Sequence, residues 1–184
     1  MNKALICIDF INEIVGENGV FGKKGNYEFI KKHNTLPFLA KFQTEFRNSG
    51  GFVIHVHLGY ENNYADHPAS SPLLGPVRHA GILKMNTFST AIPEIVAPHE
   101  NDMVILKKRI SAFYGTSLDV ILRSINAAEL YIAGVSTDLA VQSTARDAHD
   151  RDYTVTIVSG ACAAAEEEAH LAAIKNMAKF ARIL

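Results

Sequence analysis

Short apolar runs alternating with amphipathic stretches predict a three-layer α/β/α fold, a doubly wound, Rossmann-like parallel sheet of about six strands. The run Ala4–Ile8 carries no polar side chain before Asp9, the mark of a strand buried on both faces. Leu130–Ala133 breaks at Gly134 and restarts as a helix at Thr137, whose hydroxyl is a candidate N-cap. A strand that turns so sharply into a helix places the turn at the carboxyl end of the sheet. Open α/β folds bind their ligands there. The 184 residues are long enough for a sizeable core and are expected to form one domain, 1–184.

The remaining elements follow in order. Residues 13–27, with several glycines, read as a loop. From Phe29 to Arg47 the spacing of Ile30, Leu36, Phe38, Leu39, Phe42 and Phe46 fits an amphipathic helix; Pro37 falls inside that stretch and opens the main helix at its first turn, and Ser49-Gly50-Gly51 ends it. Phe52–His57 is the second strand. Gly59–Lys84 is a long polar segment holding three of the six prolines, a length that suits a wall or lid over a site. Asp102–Leu106 is the third strand. Thr116-Ser117-Leu118-Asp119 opens a helix reaching about Asn126, in the manner of a capping box. Leu130–Ala133 and Tyr153–Val158 are strands four and five, Glu166–Lys179 is the last helix, and Phe180–Leu184 closes the sheet.

Composition excludes several classes. Eighteen basic against nineteen acidic side chains leave a formal charge of −1, with no basic run to attract nucleic acid or an anionic membrane. Two cysteines, Cys7 and Cys162, are too few for a disulfide framework. No apolar run reaches membrane-spanning length, and the sequence enters a strand with no basic leader before it. The expectation is a cytoplasmic protein.

Three polar positions fall at the carboxyl ends of strands: Asp9, Lys107, and the turn from Gly134 to Ala140. With their surroundings they read Leu5-Ile6-Cys7-Ile8-Asp9-Phe10-Ile11-Asn12, Ile105-Leu106-Lys107-Lys108-Arg109-Ile110-Ser111-Ala112-Phe113 and Gly134-Val135-Ser136-Thr137-Asp138-Leu139-Ala140-Val141. In this order and spacing the chain resembles the isochorismatase-like hydrolases, a superfamily that includes nicotinamidases, N-carbamoylsarcosine amidases, ureidoacrylate amidases and isochorismatases. The resemblance implies hydrolysis of a small molecule, at an amide or ureido C–N bond. It implies Asp9 as acid or base, Lys107 as the partner that holds it ionised, and a cis peptide at Val135–Ser136. Ser136 and the backbone of Ala140 would then be oxyanion donors. Homodimers or homotetramers are implied as well.

The departure is Ala140, which stands where cysteine-dependent members of that superfamily carry the nucleophile. A methyl group cannot form a thioester. Three explanations are open. A cysteine has been replaced by design; or the chain is a naturally nucleophile-free hydrolase, as isochorismatases are, with Asp9 as proton donor to a vinyl ether; or it binds a small molecule without turnover. Isochorismate itself fits poorly, because the aromatic and histidine usual in that turn are here Ser136 and Asp138.

Other residues are candidates for substrate contact: His57 at the end of its strand, Phe113 and Tyr114 after the Lys107 motif with Ser111 nearby, and Phe88 in a later loop. Tyr60 and Tyr64 could stack on a planar ligand. Each ring has packing against the protein as its bland alternative. His55, His57 and Asp66-His67 loosely echo a nicotinamidase metal site, but the spacing is not reproduced, so no metal and no cofactor are expected. Cys7 reads as core. Cys162 could stand near the active edge, and Arg146 with Asp150 reads as a surface or subunit pair.

Overall fold

The computed structural model describes residues 2–184. Six strands, β1 (Asn2–Ile8), β2 (Phe52–Leu58), β3 (Met103–Lys107), β4 (Ala127–Val135), β5 (Thr154–Ala163) and β6 (Arg182–Ile183), form one sheet in the order β3-β2-β1-β4-β5-β6. Every pairing is parallel, as the alternation of elements predicts. The helices are α1 (Asn12–Val15), α2 (Asn26–His33), α3 (Thr35–Asn48), α4 (Val77–Ala80), α5 (Leu118–Ser124), α6 (Gln142–His149) and α7 (Glu167–Met177). A π-helical turn, Thr137–Val141, precedes α6. No helix among the described residues is long and apolar enough to cross a membrane.

β1 is central because Ala4, Leu5, Ile6, Cys7 and Ile8 are all buried, their alternate side chains feeding two cores. Leu5 and Cys7 pack with Leu39 and Phe46 of α3, whereas Ala4, Ile6 and Ile8 pack with Val141, Ala145 and Ala148 around α6. Gly134 lets β4 pass close to its neighbours. A Cβ there would come within 2.8 Å of both the Cβ and the carbonyl oxygen of Ile8.

The stretch expected as one helix from Phe29 to Arg47 is two. Asn34 takes a left-handed conformation, φ 53°, and separates α2 from α3. Asparagine is one of the few side chains that tolerate this backbone. Pro37 sits third in α3, where its missing N–H breaks no helical bond. The expected Thr137 cap is not made; Ser136 is the N-cap residue and contributes no side-chain bond.

The Gly59–Lys84 excursion has a small core of its own. Tyr60 and Tyr64 are buried beside His67, and the Tyr64 hydroxyl donates to the Ile82 carbonyl at 2.7 Å. Tyr60 bridges to Lys84, and Lys108 ties the excursion to the end of β3 through Asp66 at 2.6 Å and the Gly59 carbonyl at 2.8 Å. These tyrosines are packing residues.

At the opposite side of β2, the buried His55 ring lies 3.5 Å from Asp102, which Arg47 of α3 holds at 2.5 Å. Burial lowers His55 to a pKa of about 4, with Asp102 opposing and Arg47 and His57 reinforcing. The unfolded chain takes up this proton near pH 6.5 and the folded one does not, so folding stability is lost as pH falls from about 6.5 through 4. His55→Asn should remove about 3 kcal/mol of the acid destabilisation between pH 7 and pH 4. Urea titrations of both proteins at the two pH values measure this; parallel losses would mean that His55 does not titrate differently on folding.

Candidate active site

The strand order changes direction between β1 and β4, so the connections leave that pair on opposite faces and open a crevice at its carboxyl end. Asp9 follows β1 directly, in a left-handed conformation, φ 59°. The Leu58 N–H at the end of β2 donates to its Oδ1 at 2.7 Å. Lys107 ends β3, and its long side chain reaches past the end of β2 to place Nζ 2.7 Å from Asp9 Oδ2. The same Nζ donates to the carbonyls of Arg109 and Ile110, each at 3.0 Å. Both side chains are at least 95% buried, with 1% of Lys107 and 5% of Asp9 exposed.

Burial pushes the Asp9 carboxyl above its ordinary range; the Lys107 ammonium and the Leu58 N–H pull the other way. The upward direction prevails because the hydration lost on burial is replaced by one ion pair and one backbone donor. The result is a carboxyl that holds its proton more tightly than a solvated one does.

Beside this pair is a cavity of about 330 Å³. Ala140, Ser136 and Val135 line it together with Asp9 and Lys107, so the structure brings all five of these predicted positions to one pocket. The Val135–Ser136 peptide is cis. The Ser136 carbonyl accepts from both Leu139, at 3.3 Å, and Val141, at 3.1 Å, which widens the turn carrying Ala140 into a π-helix.

The aromatic candidates for substrate contact are elsewhere. Phe113 is buried in the core, stacked on Tyr153 at 6.2 Å and covered by the Arg151 guanidinium at 4.7 Å. Its segment is pulled towards α6: Ser111 bonds to Asp147, and the Ala112 N–H donates to Thr144 at 3.0 Å. Tyr114 and Phe88 are 67% and 77% exposed, and neither lines the cavity. His57 also lies outside the lining, although its ring and the Asp9 carboxylate shift each other's ionisation. The walls come instead from residues that carry no motif: Phe21 and Asn26 before and in α2, Leu73 and Leu74 of the long excursion, and Ala165 and Ala169 around the start of α7. A signal was present for one of them. Gly25, φ +122°, admits the carbonyl of Ala165 where a Cβ would meet it at 2.2 Å, and so brings Asn26 to the pocket.

Charged groups in the lining are mixed, with Lys24 and Arg109 against Asp138 and Glu166. Two oxygens in this wall, Asn26 Oδ1 and Asp138 Oδ1, are buried without a protein donor. No group of three His, Cys, Asp or Glu among the described residues is placed to hold a metal. Asp66 is paired with Lys108, and His67 packs on the two tyrosines. Burial pushes both cysteines up to about 12; Cys162 is held by the Val158 carbonyl at 3.3 Å and does not line the cavity. Arg146 lies over Phe180 rather than pairing with Asp150, which bonds to His149.

A doubly wound sheet whose first and third strands deliver a buried carboxylate–lysine pair to a tight turn after the fourth is the framework of an isochorismatase-type hydrolase. The chain belongs to the isochorismatase family of hydrolases: the family model for the isochorismatase domain matches residues 3–184. It is 32% identical over 183 residues to a probable inactive nicotinamidase of Arabidopsis thaliana, covering 96% of this chain and 88% of that protein. It is also 32% identical over 189 residues to the ureidoacrylate amidohydrolase RutB of Methylobacterium radiotolerans, covering 96% and 73%. Among solved structures, nicotinamidase PncA from Bacillus subtilis superposes with a TM-score of 0.82 at 26% identity, over 100% of this chain and 99% of that one.

Proposed function

We propose that this chain is a small-molecule site of the amide- or ureido-hydrolysing kind in which Ala140 occupies the nucleophile's place. The observation that carries this reading is the buried Asp9–Lys107 pair at 2.7 Å, sharing one cavity with the turn that bears Ala140. In a thiol amidase the carboxylate takes the thiol proton, sulfur attacks the carbonyl, and ammonia leaves with that proton before water cleaves the thioester. Here the proton-transfer pair remains and the attacking atom is a methyl carbon. Neither cysteine supplies a substitute, since both thiols are buried and protonated. The donorless oxygens of Asn26 and Asp138 suit a ligand carrying N–H groups, as carboxamides and ureido compounds do.

The raised Asp9 carboxyl favours a second reading, in which the chain as it stands protonates an enol-ether-like substrate and water completes the hydrolysis without a covalent intermediate. Calorimetry with nicotinamide, N-carbamoyl amino acids and ureidoacrylate, beside turnover assays that include isochorismate, separates the two. Binding without turnover is expected. Turnover abolished by Asp9→Asn would replace the first reading with the second, and neither binding nor turnover would remove both.

A further inference from the structure

The turn that bears Ala140 and the start of α7 are two walls of one cavity, since Ser136, Asp138 and Ala140 line it together with Ala165, Glu166 and Ala169. One side-chain hydrogen bond joins these walls. Thr137 Oγ1 lies 2.9 Å from His170 Nδ1, and Thr137 is fully buried. The Thr137 hydroxyl therefore serves a contact across 33 positions of sequence rather than capping its own helix. The His170 ring is in turn seated against Phe29 of α2, with centroids 5.0 Å apart, and α2 begins at the cavity residue Asn26. One turn further towards the start of α7, Glu167 binds Lys32 at 2.7 Å and His33 at 3.1 Å, so α2 and α7 are clamped together around this ring.

We propose that His170 is the positioning residue of this site: its Nδ1 bond to Thr137 sets the π-helical turn, and with it position 140 and Ser136, against the Asp9–Lys107 pair. The proposal rests on the reading of that turn as the reactive one. A π-helical turn contains one more residue than the α-helical ladder accommodates, so its placement depends on contacts from outside the helix. Thr137, first in the turn and enclosed, gives such a contact a short lever on Ser136 just before it and on position 140 one turn after it. Burial lowers the His170 ionisation; Glu167 on its own helix and Asp138 on the turn oppose this, and His33 on α2 reinforces it. The ring is thus neutral near pH 7, and the bond to Thr137 is one between uncharged groups.

The test needs no knowledge of the substrate. In an Ala140→Cys background, the rate of alkylation by iodoacetamide and its pH profile report the setting of the turn directly. His170→Phe keeps an aromatic ring against Phe29 and removes both ring nitrogens, Nδ1 among them. It should slow alkylation about tenfold or more, since small misplacements cost that much at a reactive centre. The thiol's titration should move towards its ordinary value of about 8.5. Thr137→Val should do the same, the combination of both should be no slower than either, and His170→Asn, which restores a polar atom, should recover most of the rate. Unchanged rates with His170→Phe, effects of the two changes that multiply, or failure of His170→Asn to recover the rate in a protein of equal urea stability would each overturn the assignment. Ammonia release by Ala140→Cys alone reads the amidase proposal separately, so the two can fail independently.

Discussion

Ala140→Cys is expected to turn this protein into an ammonia-releasing amidase, raising the rate over the chain as it stands by at least about 10³-fold on a cognate amide or ureide. The size follows from what a covalent nucleophile contributes: removing one from a site that otherwise keeps its acid–base and oxyanion groups typically costs about 10⁶ in rate, with much of the remaining site then idle. The substitution adds a single heavy atom to a side chain that lines an open cavity of about 330 Å³, so it creates no packing conflict with the core. Its proton has an acceptor in Asp9, which lines the same cavity and whose proton affinity burial raises. Ammonia release from nicotinamide, N-carbamoyl amino acids, ureidoacrylate and biuret is the measurement. A folded variant whose thiol alkylates readily but which releases ammonia from none of them would remove the vacated-nucleophile reading.

Lys107→Met should produce the largest loss of stability among single changes at the site, about 3–5 kcal/mol at pH 8, because it strands a buried carboxylate. The loss should shrink on acidification. Without the ammonium, only the Leu58 N–H and the smaller influence of His57 oppose the effect of burial, so the folded-state ionisation of Asp9 rises further above the unfolded value of about 3.9. For a carboxyl raised on folding, the favourable contribution is complete below the unfolded value and is lost as pH rises through the folded one. Urea midpoints of the variant and the parent at pH 5 and pH 8 give the comparison. Equal losses at both would show that Asp9 does not carry the penalty as a charge.

The sheet was legible because each strand is a short apolar run, and the parallel arrangement follows from helices intervening between the runs. Asp9, Lys107 and the 134–140 turn were legible because strand ends announce themselves where apolar residues stop. The aromatic assignments failed for the opposite reason. Whether Phe113 faces a ligand or the core is decided by Ser111 and Ala112 bonding to α6, more than thirty positions away, and no local pattern encodes that. Asn34 could have been read as a helix break, yet the apolar spacing continues across it. Asn26, Leu73 and Leu74 reach the cavity through a close backbone approach and a folded excursion, neither of which has a period.

The three hydrogen bonds made by the Lys107 ammonium, to Asp9, Arg109 and Ile110, occupy every hydrogen it has. It is a fixed counter-ion: of its three hydrogens, only the one directed at Asp9 meets a group that can accept a proton. On the reading proposed above, a proton exchanged with a ligand passes through the Asp9 carboxyl, with Lys107 held in place beside it. A pocket arranged in this way can change the ligand it holds by altering its turn and its walls while this pair stays the same.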